Sequence, residues 1–228
     1  MKKIHLQLFI LLFFFGQCVF CQRSNIFYGK DEVVEDLDEL YKLLIDAHID
    51  IYAYVDKEDF RMRYENVKGS IFKDSVSLLD ATNIFQKLAS AVNNGHTEID
   101  FPGQSYREYA YNGGTLFPLE IVFENDRSLV RKNWSKNDEI NVGDEVLGIN
   151  GKPISEILSK IYPLVSAERQ YLKRTKIEMY SFPRLYWQVF GQQDKFEVKI
   201  KAGNSIKKYH IESVDVIEGF EMKRKEII

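Results

Sequence analysis

The sequence predicts an α+β fold, in which an amino-terminal helical bundle is followed by an antiparallel β-domain that also carries helices. Two observations predict it: apolar residues recur every three or four positions before residue 102, and strand-like alternation begins after residue 118. Between the two patterns lies a polar segment containing Pro102, Gly103 and Gly113, which is typical of a linker. We therefore expect a helical domain over 31–102 and a β-domain over 113–211.

The first 21 residues have the layout of a secretory signal peptide. Two lysines follow the initiator methionine, an apolar run covers 8–15, and Cys21 precedes the most plausible cleavage point. The run is far shorter than the roughly 20 residues that cross a bilayer, so no transmembrane segment is expected. We expect an exported protein, periplasmic or extracellular. A lipid anchor on Cys18 or Cys21 is the less favoured alternative.

Composition excludes several classes of function. Both cysteines of the chain lie in the signal peptide, so the mature protein would have no disulfide framework, zinc-thiolate site or cysteine nucleophile. A net charge of −3 without a long basic run argues against nucleic acid as a partner. The histidines have no close spacing that would suggest a metal site, and no cofactor is expected.

Three helices are predicted in the amino-terminal part. Their apolar stripes are Leu37, Leu40, Leu44 and His48; Phe60, Tyr64 and Val67; and Phe85, Leu88 and Val92. The third helix is marked at both ends, by Ser77 and Asp80 as a capping box and by 93–95 as a left-handed stop. His48 is thereby predicted to be a core histidine, and His96 to follow a helix end.

The β-domain is predicted from alternating apolar residues and turn signals. Strands are expected at 119–124, 128–133 and 145–149. A helix is then expected from Ile154 through Ser166, and a second helical stretch at 175–190, interrupted at Pro183. A pair of strands at 196–200 and 206–211 completes the domain. Asn150-Gly151 is a strong tight-turn signal, because both residues accept a positive φ. The residues at 212–228 are interpreted as a charged tail that leads to a missing domain.

The segment Gly143-Asp144-Glu145-Val146-Leu147-Gly148-Ile149-Asn150-Gly151 is typical of a PDZ-like peptide-binding domain. Gly113, Gly114, Thr115, Leu116 and Phe117 come just before the first strand, where PDZ domains place a loop whose amides receive a peptide carboxylate. These five residues are the candidate peptide-binding site, with the peptide added as a strand between the sheet edge and the helix near Ile154. The alternative is that the loop only joins domains and the chain itself fills the groove.

Three segments together resemble the front part of a tail-specific or tricorn-type serine peptidase: 46–52, Asn94-Gly95-His96-Thr97, and the PDZ-like motif extended to Ile154. The resemblance covers 31–211. It implies a helical part, a PDZ-like domain and a following α/β domain that carries the nucleophilic serine. His96 matches the place of the tricorn-type histidine. No residue of the chain matches the serine.

The residues themselves also make His96 a candidate general base. It lies beside a helix end on a loop with Gly95, where a histidine is held and partly exposed. The alternative is a histidine that only caps the helix. Ser166, in Ser-Ala-Glu, is not taken as a nucleophile because no glycine-rich strand-to-helix turn presents it. Ser135, Ser181 and Ser213 are weaker still, and His210 is predicted to be an ordinary strand residue.

These observations predict the amino-terminal portion of an exported serine peptidase that acts on a protein or peptide substrate, with a chain terminus as one candidate for the bound segment. Its nucleophile would belong to a separate or missing catalytic domain, so the chain alone is expected to be inactive. One alternative is a stand-alone, non-catalytic periplasmic protein that binds peptides or proteins. Another is a regulatory part that assembles with a separately encoded catalytic chain.

Overall fold

The computed structural model describes residues 26–225, so the predicted signal peptide at 1–21 lies outside the described residues. The α+β fold class is confirmed. Within 26–225, no helix is both long enough and apolar enough to cross a membrane.

Three helices build the amino-terminal part, as predicted. They are α1 (Lys30–Ala47), α2 (Lys57–Gly69) and α3 (Leu78–Ser90). Leu37, Phe60 and Leu88 are fully buried at their meeting point. Ser77 caps α3, because its hydroxyl accepts the Asp80 amide at 3.1 Å. A short antiparallel pair, β1 (Phe27–Gly29) with β2 (Ser75–Ser77), ties the starts of α1 and α3 together.

The segment predicted as a linker instead contains a helix, α4 (Gly103–Tyr111). Tyr106 and Ala110, one turn apart, are both buried, and Tyr106 meets the Trp187 ring edge to face at 5.2 Å. The helix is too short to be stable alone, so its tertiary contacts decide its conformation. A short polar segment gave no periodic signal from which this could be predicted.

Five antiparallel strands form the main sheet, in the order β4 (Leu119–Glu124), β5 (Arg127–Asn133), β6 (Glu145–Ile149), β8 (Lys195–Ala202) and β9 (Ser205–Glu212). The two-residue strand β7 (Lys152–Pro153) folds back on β6 through the predicted turn, where Asn150 and Gly151 have φ of 51° and 77°. A separate pair joins β3 (Thr115–Leu116) to β10 (Val214–Asp215).

Three helices cover this sheet: α5 (Ile154–Ile161), α6 (Gln170–Tyr180) and α7 (Phe182–Phe190). The helix predicted to continue through Ser166 ends at Ile161 and passes into a 3₁₀ turn at Tyr162–Leu164. Pro163 has no amide to continue the helical hydrogen bonds, which explains the early end. The predicted interruption of the later helical stretch is present, at Ser181, whose φ is 87°.

The residues interpreted as a charged, unpatterned tail are largely ordered. After β10 the chain forms a π-helical turn at Val216–Glu221 and then α8 (Met222–Lys225). Val216 and Phe220 are fully buried, and Glu221 pairs with Arg184 at 2.6 Å. The apolar residues of this segment lie where the chain passes from a strand into a π-helical turn. Their spacing therefore matches neither the strand period nor the helical period.

Candidate functional site

The loop at 94–98, which we call the histidine loop, follows directly from α3. After Ser90 the chain keeps Ala91 and Val92 buried, and Asn93 takes a positive φ of 54°. The Asn94 side chain then accepts the His96 amide at 2.9 Å. His96 is exposed. No hydrogen bond to its ring comes from any residue within 26–225, so the imidazole faces solvent with both nitrogens open.

Two residues of the segment after the 3₁₀ turn hold the histidine loop from one side. The Ser166 hydroxyl donates to the Asn94 carbonyl at 2.6 Å, and the Glu168 carboxylate accepts the Gly95 amide at 2.8 Å. Ser166 is 1% exposed. These bonds join residues that lie more than 70 positions apart in sequence, so the position of the loop depends on the tertiary fold.

Helix α6 holds the same loop through Lys176. Its ammonium group donates to the Gly95 carbonyl at 2.7 Å and to the Glu98 carboxylate at 2.6 Å. The lysine side chain is 18% exposed, so this contact is shielded from water better than an ordinary surface ion pair. The amide and the carbonyl of Gly95 are therefore bonded to Glu168 and Lys176, two side chains from the part of the chain that contains the main sheet.

His48 contributes a fourth contact, and here the prediction of a core histidine was wrong. It follows the end of α1, is only partly buried, and its Nε2 lies 2.9 Å from the Thr97 hydroxyl. Its Nδ1 accepts the Asp50 amide at 3.3 Å, which leaves Nε2 as the donor to Thr97 when the ring is neutral. The helical stripe ends before His48 because the chain leaves the helix there.

Charged side chains of both signs, Glu168 and Lys176, contact the histidine loop. The Gly95 amide holds the pKa of Glu168 below its ordinary value, and His96 and Lys176 contribute in the same direction. Glu168 therefore stays ionised close to His96. We call His48, Ser166, Glu168 and Lys176 the clamp.

The candidate peptide-binding residues lie in a different environment. Gly113 and Gly114 donate their amides to carbonyls at the end of α4, and the Thr115 amide donates to the Tyr109 hydroxyl at 2.8 Å. Leu116 and Phe117 are each 1% exposed. No hydrogen bond described within 26–225 joins this segment to the histidine loop. The peptide-binding role of the five residues stays a prediction.

The outer edge of β4, where a peptide strand was expected to add, is covered by the chain itself. The Phe123 amide donates to the Glu178 carboxylate of α6 at 2.8 Å. Glu120, which is 5% exposed, accepts the Ser181 hydroxyl at 2.9 Å and the Phe182 amide at 3.0 Å. Burial raises the pKa of this carboxyl, and the two donors partly oppose the shift. This arrangement corresponds to the alternative in which the groove is filled internally.

Three of the four serines considered at the sequence level are not presented as nucleophiles. Ser166 and Ser181 are buried, and both hydroxyls donate to acceptors of the chain. The Ser135 hydroxyl donates to Asn133, two residues away. His210 lies in β9 opposite Glu197, as predicted for a strand residue. The clamp was missed from the sequence because its contacts with the histidine loop join residues at least 49 positions apart.

Comparisons with known proteins bear on the fold. Neither the protein-family models nor the curated proteins give a match. Among solved structures, mature CPAF complexed with lactacystin is similar at a TM-score of 0.54 and 14% identity, covering 81% of this chain and 35% of that chain. A CPAF mutant matches at 0.53 and 14%, and mature CPAF at 0.53 and 15%, each covering 81% of this chain and 34% of the other.

CPAF is a chlamydial serine protease. This chain spans about a third of the length of the CPAF chains that it matches. At such low identity the similarity concerns the fold, and the chain therefore has a protease-related fold.

Proposed function

We propose that the chain is the amino-terminal portion of an exported serine peptidase, in which His96 is the general base and a PDZ-like domain presents a protein or peptide substrate. The observation that carries this proposal is the clamp. Four side chains from separate parts of the fold hold the loop of one exposed histidine. The serine protease fold of CPAF supports the same assignment.

Holding a loop at several points suits a catalytic base better than a helix cap. A cap needs only the carbonyls of its own helix, whereas proton transfer requires the imidazole within hydrogen-bond distance of the reacting group. Misplacement by about 1 Å can reduce a rate roughly a hundredfold. The contacts at Asn94, Gly95 and Thr97 flank His96 on both sides and limit such movement.

The chemistry proposed for His96 is acyl transfer. The imidazole takes the proton of a serine hydroxyl while the serine oxygen attacks the peptide carbonyl carbon, and it returns the proton to the departing amine. Water then hydrolyses the acyl-enzyme by the same route. The serine and the oxyanion hole are assigned to residues outside 26–225, because no serine within it lies on a glycine-rich strand-to-helix turn in the sequence and the hydroxyls of Ser135, Ser166 and Ser181 are internally bonded. The chain alone is therefore proposed to be inactive.

Peptide presentation is assigned to the sheet with the Gly143–Gly151 motif, which forms β6 and the turn after it. Because Glu178 covers the β4 edge, an added peptide strand requires α6 to move away from Phe123. Export rests on the layout of residues 1–21.

The test begins with the complete reading frame. We expect it to continue past Ile228 into a glycine-rich strand, a serine and a helix, and its product to hydrolyse an unstructured protein. Residues 22–228, purified alone, are expected to show no hydrolysis. A stop codon directly after Ile228 would contradict the proposal, as would turnover by residues 22–228.

A further inference from the structure

A groove of about 490 Å³ lies between the helical part and the part of the chain that contains the main sheet, and neither His96 nor any residue of β4 lines it. We call it the basic groove. Three cationic side chains line it: Arg63 of α2, Lys87 of α3 and Lys173 of α6. Grooves at the junction of two parts of a fold are common ligand sites.

The cations of the basic groove have no carboxylate to balance them. No Asp or Glu lines the groove, and none of the three cations forms an ion pair with any residue in the part of the chain that the structure describes. By contrast, Lys68, Lys176 and Arg184 are each paired with a carboxylate. Like charges in one cleft repel, and a bound anion offsets that repulsion.

Lys173 is the best placed of the three to hold an anion. Its ammonium group donates to the Tyr162 carbonyl at 3.1 Å, which orients it and leaves two of its three hydrogens for a ligand. Burial, helped by the positive charge of Arg63, lowers the pKa of Lys173 to about 8. Because part of its hydration is already lost in the fold, this charge gives up less hydration than an exposed lysine when it binds an anion.

The remaining wall of the groove is largely apolar. It includes Val67, Ala91 and Pro163 beside the cations. A wall of this kind favours a ligand with an apolar body. The free energy needed to remove an ion from water rises steeply with the size of its charge. The groove therefore suits a single negative charge on an apolar body better than a doubly charged phosphate.

We propose that the basic groove binds a carboxylate carried on an apolar body, with Lys173, Lys87 and Arg63 around the carboxylate. The end of a peptide chain and a free aliphatic acid both have this chemistry. The inference concerns a binding site and does not depend on the peptidase proposal. A carboxylate bound in the basic groove would contact both α3, which leads to the histidine loop, and α6, whose Lys176 bonds to that loop.

Titration of the full protein at pH 7 tests the ligand chemistry. The probes are octanoate and an acetylated tetrapeptide ending in leucine, each compared with its uncharged amide by isothermal titration calorimetry. We expect saturable binding of the carboxylates and at least about tenfold weaker binding of the amides, as for the loss of one charge-assisted contact. Binding of either carboxylate supports the site, and the one that binds identifies its source.

Three outcomes would overturn the proposal: amides that bind as tightly as acids, inorganic phosphate that competes as well as octanoate, or no saturable binding at millimolar concentrations. Variants then locate the site. Lys173→Met and Lys87→Met are each expected to weaken octanoate binding about tenfold, whereas Lys199→Met, exposed on β8 outside the groove, retains it. If both groove variants bind as wild type, the carboxylate lies elsewhere. Two separate variants keep the test valid where one fails to fold.

Discussion

Replacing Lys173 by methionine is expected to change the pH dependence of stability in a defined direction. Methionine keeps most of the apolar length of the side chain but removes the ammonium group. Burial and the charge of Arg63 lower the pKa of Lys173 from 10.5 to about 8. The folded protein therefore binds this proton less tightly than the unfolded chain does.

The sign follows from proton linkage. Between pH 8 and pH 10.5 the unfolded chain still holds a proton that folded Lys173 has released, so stability rises with pH in this window. Below pH 8 both states are protonated and the full destabilising effect is present. For a fully shielded group the shift corresponds to about 3 kcal/mol. Because Lys173 is partly solvated, we expect about 1 to 2 kcal/mol after screening.

Urea unfolding of wild type and Lys173→Met at pH 7 and pH 10 measures this effect. Relative to wild type, the free energy of unfolding of the variant is expected to be about 1 to 2 kcal/mol larger at pH 7 than at pH 10, so the variant gains stability at the lower pH. Lys199→Met, an exposed lysine on β8, serves as the matched control and shows no such difference. A relative stability that stays constant between the two pH values would refute the assignment of Lys173 as a buried, destabilising cation.

Two further predictions concern the clamp and the covered sheet edge. Ser166→Ala removes a buried hydroxyl that donates to Asn94, so thermal unfolding should show a loss of about 1 kcal/mol; the Thr97 amide still donates to the same carbonyl and limits the loss. In the full-length enzyme this variant is expected to keep measurable turnover, and complete loss of hydrolysis with normal folding would show that Ser166 is the nucleophile. Glu178→Ala frees the Phe123 amide at the β4 edge, so titration with peptides that end in a free carboxyl group should show tighter binding than in wild type. Glu212→Ala, an exposed residue of β9, is the control; equal affinities for the Glu178 variant and wild type would mean that the edge is not the peptide site.

Features that depend on neighbouring residues were predictable from the sequence. The start of α3 at Ser77 follows from a hydroxyl three residues before an acid, and the turn at Asn150-Gly151 from two residues that tolerate a positive φ. His96 could also be placed just beyond a helix end, although α3 already ends at Ser90, before the predicted stop at 93–95, of which only Asn93 takes a positive φ. Each of these signals lies within a few positions of the structure that it predicts.

Features that depend on distant contacts were not predictable in the same way. Helix α4 forms because Tyr106 packs on Trp187, and the chain after β10 is ordered because Phe220 packs on Trp134. The clamp has the same character: Glu168 and Lys176 reach Gly95 from 73 and 81 positions away. Single-sequence periodicity holds no information about such pairs, so the environment of His96 became visible only in the fold.

Hydrolysis of an unstructured protein by the product of the complete reading frame, with and without His96→Ala, tests the central claim most directly. His210→Ala, which alters an exposed strand histidine, is the matched control. If the clamp presents a general base, His96→Ala lowers kcat by at least about a hundredfold at unchanged thermal stability, and His210→Ala leaves it unchanged. Equal rates for wild type and His96→Ala would contradict the account.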